Sequence, residues 1–421
     1  MREPESATRI VGLPRAVLAG CFTLMVTMGL LAASYGPLLP VIRDQFSVSP
    51  VATGLLVSAL PAGATVAILV SAALQRRVPT RFLLQGSCAF LVAGLVGLAL
   101  APTWPLLLTS GTAIGLGYGG ATSLANGVIA AAYPSRRATF LLNLQNGIFG
   151  LGAVLGPVCV ALLPEGSGRL AWLWYAVLAA AAAGLFAALP LTSLASPERA
   201  VPAHPDTDPD ALLAKNVPSD GQRSGHLAKN VPSARAGGGR LGWFALLFAC
   251  LIAAEISAGA WAPTHLEALG QEVRTAAFAT SLFYLGLASG RMGAALIGLR
   301  VDPGPLLVAS TILATAMLTL TYFAPLGGFA YVLAGAAIGP VFPTGLAWVS
   351  TDQPQARHAM ATVLVAGNLG GITLPPVVGA VIGTVGAQAA PLPIAATAAL
   401  GAVVAVLLAR GARRPGLGRA D

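Results

Sequence analysis

Twelve long apolar segments, six on each side of a single polar stretch near 191–240, leave this chain few ways to fold. A run of about 20 apolar residues spans a bilayer core as a helix, because in lipid only a helix or a closed barrel satisfies every backbone N–H and C=O. The segments lie at 16–40, 51–74, 82–101, 105–132, 139–163, 170–191, 241–265, 276–298, 304–324, 328–350, 359–384 and 390–410. The expected fold is therefore all-α, with twelve transmembrane helices in two six-helix bundles. Residues 1–190 form the first bundle, 191–240 a disordered cytoplasmic linker, and 241–421 the second bundle with a short tail.

With 56% hydrophobic and 9% charged residues and a mean hydropathy of +0.78, almost the whole length is used in crossing the membrane. That excludes a separate soluble catalytic domain. The linker is rich in Pro, Asp, Ser and Gly and cannot bury a core. It carries Leu213 to Ser219 and an identical copy at Leu227 to Ser233, either a docking motif or a duplication in a tolerant tether.

The net charge of +9 is scattered over short loops without interleaved aromatics, which argues against nucleic acid. It reads instead as topology. Arg76, Arg77, Arg81, Arg136, Arg137, Arg300 and Arg357 fall on one side with both ends of the chain, and only Arg43, Arg169 and Arg274 on the other. Basic loops mark the cytoplasm, so both termini are expected there, in a multi-pass protein of the cell membrane. The apolar run after Met1 to Arg15 is too long for a signal-peptide core and is kept as the first span.

The two halves repeat each other. Ala113-Ile114-Gly115 in the fourth span is matched by Ala337-Ile338-Gly339 in the tenth, and Gly152 to Pro157 in the fifth by Gly371 to Pro376 in the eleventh. Parallel six-helix repeats place a substrate site at the midplane between them.

Glu255, in Ala253-Ala254-Glu255-Ile256-Ser257, is a carboxylate deep in the seventh span. A charge at the bilayer centre costs about 2.5–3.5 kcal/mol even on the lenient scale, so such a residue faces a cavity or a partner and marks a transport or proton path. Arg291 is the cation within reach: it either pairs with Glu255, as coupling device or static tie, or snorkels to the surface. Asn126, Asn143, Gln145, Asn146, Tyr284 and Asn368 lie at comparable depth, where amides either join helices or line a wet cavity. Tyr35 and Trp261 occupy corresponding places in the first and seventh spans, as sugar-stacking rings or as part of an interfacial belt.

Enzyme constellations are missing. Cys21, Cys88, Cys159 and Cys250 sit one per span as small packing residues, and His204, His226, His265 and His358 fall in separate regions, so neither metal nor other cofactor is expected. Gly115 to Gly120 resembles a dinucleotide loop only in its glycines, with no strand before it, and no GxxxxGK[ST] run exists to bind ATP.

Together these residues resemble the major facilitator superfamily. Within it, Thr280 to Leu287 followed by Gly290-Arg291, the pair Ala254-Glu255 with Trp261, and Leu142-Asn143-Leu144 leading into Gly152-Ala153 are similar to the fucose:proton symporter-like sugar porters. Two positions depart from that pattern: Thr122 stands where those porters have an acid before the fourth-span Asn, and Phe149 where they have a fifth-span Asn. The resemblance implies a secondary active transporter, monomeric, moving a small polar, sugar-like solute by alternating access with proton coupling. Glu255 and Arg291 would couple the proton, and Asn126, Gln145, Asn146, Tyr284, Asn368, Trp261 and Tyr35 would bind solute. The alternative is an exporter of a drug or secondary metabolite, since Gly152 to Pro157 resembles the core of the antiporter signature. From another class, a membrane receptor or assembly factor would reuse the fold without transport.

Overall fold

Apolar stretches whose backbone has no outside partner close their hydrogen bonds internally, and the described residues are helical almost throughout. The computed structural model describes residues 12–189 and 235–412, apart from 76, 165–166, 299, 324–326 and 354–357. Among these are six helices in the first half: α1 (Arg15–Phe46), α2 (Pro50–Leu74), α3 (Thr80–Leu100), α4 (Trp104–Ala132), α5 (Ser135–Leu162) and α6 (Ala171–Leu185). Seven follow: α7 (Arg235–Ala268), α8 (Val273–Ile297), α9 (Pro303–Leu320), α10 (Gly327–Ile338), α11 (Val341–Asp352), α12 (Ala359–Val385) and α13 (Pro391–Ala412).

Among the described residues ten stretches are long and apolar enough to cross a membrane, with α10 and α11 together forming one of them. The two helices outside that set, α4 and α8, are 29 and 25 residues long, so length is not what separates them. Glycine, hydroxyls and Asn126 dilute α4, and Arg274 and Arg291 dilute α8.

Boundaries follow local chemistry. The turn from α1 to α2 is made by Ser47 in the left-handed region (φ 51) and by Ser49, whose hydroxyl accepts from the Ala52 N–H at 3.2 Å just ahead of Pro50. α1 thus runs past Pro37 and Pro40 to Phe46, beyond the end expected at 40. The tenth span, expected as one helix over 328–350, is broken between Ile338 and Val341. Pro340 has no N–H to donate, and Gly339 lies so close to α8 that a Cβ would fall on the Leu287 carbonyl. Helix α7 begins at Arg235, ahead of the linker boundary expected at 240; the duplicated motif lies outside the described residues.

Helices α1 to α6 pack among themselves, through α1 on α5 and α6, α2 on α4, and α3 on α4 and α6. So do α7 to α13, through α7 on α12 and α13, α8 on α10, and α9 on α10 and α13. Glycines bring the backbones together in matching ways. A Cβ on Gly115 of α4 would fall on the Leu60 carbonyl of α2, just as one on Gly339 falls on α8. The equivalence expected from Ala113 to Gly115 and Ala337 to Gly339 is a repeated packing contact.

Buried Arg169, ahead of α6, closes the end of α3. Its Nε and Nη2 donate to the Leu98 carbonyl at 3.0 and 2.6 Å, and Nη2 also reaches the Ala101 carbonyl at 3.1 Å. A guanidinium here satisfies carbonyls that a helix end leaves open. Arg169→Met should lower stability by about 2 kcal/mol, since bonds to a charged donor are lost and the carbonyls stay buried. A melting temperature in detergent equal to that of the parent would refute this.

Candidate functional site: a cavity between the two bundles

Where the bundles meet, α2 faces α12, α5 faces α8 and α1 faces α7. At one end they are in backbone contact: a Cβ on Gly36 of α1 would lie 2.5 Å from the Gly259 carbonyl of α7, and one on Gly54 of α2 would lie 2.5 Å from the Pro375 carbonyl of α12. The Ser58 hydroxyl donates to the Ile372 carbonyl at 2.6 Å across the same seam. Leu39 and Val57 leave their own bundle here and pack into the apolar cluster of the other, beside Trp261 and Val378.

Behind this closed end lies a cavity of about 320 Å³, walled by α1, α2, α4, α5, α7, α8, α11 and α12. It is not sealed, for Asn146 in its wall is exposed. Its charged centre is a pair. Arg291 Nη2 donates to Glu255 Oε1 at 3.0 Å, joining α8 to α7, with the two side chains 29% and 22% exposed.

Small residues set this geometry. Gly286 and Gly290 let α8 lie directly on the backbone of α10, at the carbonyls of Val332 and Ala336, and so orient Arg291. Gly259, one turn after Glu255, leaves room for the Tyr284 hydroxyl, which occupies the space a Cβ would take.

Of the residues singled out in the sequence, the cavity gathers Tyr35, Asn146, Glu255, Tyr284, Arg291 and Asn368. Tyr35 is buried with its ring 5.3 Å from that of Trp172, and its hydroxyl has no hydrogen-bond partner. Asn146 uses its amide on its own helix, donating to the Leu142 carbonyl at 2.9 Å.

Four of them lie outside the wall, and one of these, Asn143, is exposed on α5. Gln145 is buried and donates through Nε2 to Asn126 Oδ1 at 3.0 Å, so these two join α5 to α4. Trp261 is buried at the closed end, with Nε1 donating to the Pro375 carbonyl at 3.2 Å. Amides and indoles in an apolar span find either a protein partner or a cavity, and these three have found a protein partner.

Tyr118 was not singled out as a binding residue, yet it lines the cavity together with Thr122. The signal was present: Tyr118, Thr122 and Asn126 recur every fourth residue, which on a helix is one polar stripe. The apolar wall residues Met25, Phe149, Ile252, Ile256, Leu287 and Phe342 carried no such mark. Among the described residues no group of His, Cys, Asp and Glu could hold a metal ion.

The sequence profile described as Major Facilitator Superfamily matches residues 21–362. No curated protein matches the chain. Among solved structures, the nucleoside transporter NupG is similar over 94% of this chain and 100% of its own, with a TM-score of 0.71 at 13% identity. A D-xylose-proton symporter covers 93% of this chain and 96% of its own, at 0.69 and 15%. A POT family transporter in complex with 5-aminolevulinic acid covers 95% and 97%, at 0.74 and 13%. At such identities the likeness is one of fold. The profile match runs from α1 into α12, through both bundles. Members of this superfamily are multi-pass membrane transporters of small molecules and not enzymes, and the chain belongs to the Major Facilitator Superfamily.

Proposed function

We propose that this chain is a proton-coupled secondary transporter of a small solute, crossing the membrane twelve times with both termini in the cytoplasm. The observation that carries the reading is the Glu255–Arg291 pair in the wall of the cavity between the bundles. A carboxylate and a guanidinium at this depth are costly unless they meet a partner or a water-filled cavity, and this pair, which has both, is the kind of site that marks a transport path. Protonating Glu255 removes one charge and with it the attraction that ties α7 to α8, so the proton changes which arrangement of the bundles is favoured. With the basic loops inside, the closed end at Gly36 and Gly54 is the outer one, and the cavity is open to the cytoplasm.

The sugar-like solute implied by the fucose porter resemblance draws support from Asn146, Asn368 and three tyrosines in the wall, and the role of Asn126, Gln145 and Trp261 becomes the support of that wall. Export of an apolar metabolite is the second reading, favoured by the many apolar side chains around them. Right-side-out and everted vesicles under an imposed pH gradient separate the two directions.

The coupling test is Glu255→Gln, assayed with a solute found by a thermal-shift screen. Uphill accumulation should fall to the background level, while exchange of labelled for unlabelled solute, which needs no net proton movement, should persist. Accumulation at the level of the unmodified protein would remove Glu255 from the coupling step.

A further inference from the structure

Among the described residues Arg291 is the only cation in the cavity wall, and part of its guanidinium has no work to do. Nη2 donates to Glu255, whereas Nε is buried without a partner. The same edge is used in full elsewhere in this protein: Arg240 grips Asp352 with Nε on Oδ2 at 2.9 Å and Nη2 on Oδ1. That two-bond fork is the geometry a guanidinium offers to a carboxylate, and a buried donor left unbonded is unfavourable. Glu255 supplies one bond to an edge built for two.

The rest of the wall suits an apolar body better than a polyol. The Thr122 hydroxyl already donates to the Tyr118 carbonyl at 2.7 Å, and the Asn146 amide is held by its own helix. Asn368 and the three tyrosines offer polar atoms, but a solute with a hydroxyl on every carbon would also turn hydroxyls toward Phe149, Ile252, Ile256 and Phe342.

Resting on the reading of this cavity as the transport site, we propose that its solute is a small organic carboxylate with an apolar or aromatic body, which takes the Nε–Nη2 edge of Arg291 and displaces Glu255. The freed Glu255 carboxylate then accepts a proton from hydronium, giving the carboxylic acid and water. The empty cavity holds one guanidinium and one carboxylate. The loaded cavity holds one guanidinium, the solute carboxylate and a neutral Glu255, so both cross the membrane with no net charge. Among the described wall residues the other titratable groups are Tyr284 from α8, Tyr118 from α4 and Tyr35 from α1; those of α2, α5, α11 and α12 carry none.

Melting temperature, affinity and proton uptake are measured on the purified full chain, and alkylation on the same chain carrying Cys159→Ser and Asn146→Cys, so that labelling reports on the cavity. Benzoate, phenylacetate and 3-phenylpropionate, their amides, and D-fucose are the probes. At least one acid should raise the melting temperature, protect position 146 and take up about one proton per molecule bound. Its amide should bind at least tenfold more weakly. Arg291→Lys, which cannot form the fork, should weaken acid binding tenfold or more. Glu255→Gln should strengthen it, because the competing carboxylate is gone, and should abolish the proton uptake. Equal binding of acid and amide, weaker acid binding in Glu255→Gln, acid binding without protection, or no acid binding at all would each overturn the carboxylate. If D-fucose alone protects position 146, the transport cavity stands and only the solute class falls. If no solute protects it, both fall.

Discussion

Gly36→Val should shift the protein toward facing the other way. The Cβ it adds would lie 2.5 Å from the Gly259 carbonyl, 3.3 Å from the Ala260 carbonyl and 3.3 Å from the Pro263 ring, and two of these three are backbone atoms that cannot swing aside. Overpacking of this kind costs roughly 1–3 kcal/mol, and the cost is confined to the arrangement in which α1 touches α7. Each 1.4 kcal/mol is about a tenfold change in population, so the closed end should open in roughly ten to a hundred times more molecules. Gly29→Val is the contrasting variant. Its Cβ would fall on the Phe149 carbonyl of α5, inside one bundle, so it should lower folded yield without favouring either face. A membrane-impermeant maleimide applied to each side of sealed vesicles, with a cysteine at position 146, reads the difference. Normal yield of Gly36→Val with an unchanged sidedness of labelling would show that this contact does not hold the end shut.

Arg291→Met should cost more stability than removing both members of the pair. It leaves the Glu255 carboxylate in the cavity wall without its counter-ion, whereas Arg291→Met with Glu255→Gln leaves no charge there. Breaking a fully buried pair costs about 3–5 kcal/mol. These side chains keep 29% and 22% of their exposure, so water screens part of the loss and about 2 kcal/mol is expected. Melting temperatures of the four proteins in the cycle give the coupling directly. The double variant should melt above Arg291→Met, and uphill transport should be lost in both. A double variant that melts below Arg291→Met would mean that the two residues stabilise the bundle independently.

Most of the architecture was legible because hydrophobic length in lipid has few solutions. The helices appear within a few residues of where the apolar runs place them, and the paired motifs around Gly115 and Gly339 announced a repeat that the packing displays. The exceptions have local causes. The first span was expected to end at 40, but the cap that ends α1 is Ser47, and the break at Pro340 was hidden inside an unbroken apolar run. The site was half legible. Glu255 and Arg291 stood out because a charge in an oily span is rare, but the partner that an amide will choose depends on helix rotation. Asn146 and Gln145 are adjacent in sequence, yet one faces the cavity and the other is turned to Asn126. Tyr118 sits inside the glycine run Gly115 to Gly120, and only its four-residue spacing to Thr122 marks the face the two share.

Leu39 and Val57, which belong to the first bundle but pack in the second, tie the transport cycle to temperature. When the closed end opens they must meet water, and newly wetted apolar surface raises the heat capacity. The balance between the two faces will therefore follow a curved rather than a straight van't Hoff line. Because the tendency of oily surface to avoid water weakens on cooling, this latch will loosen in the cold. A carrier built this way has its resting posture set in part by the warmth of its surroundings, with no ligand involved.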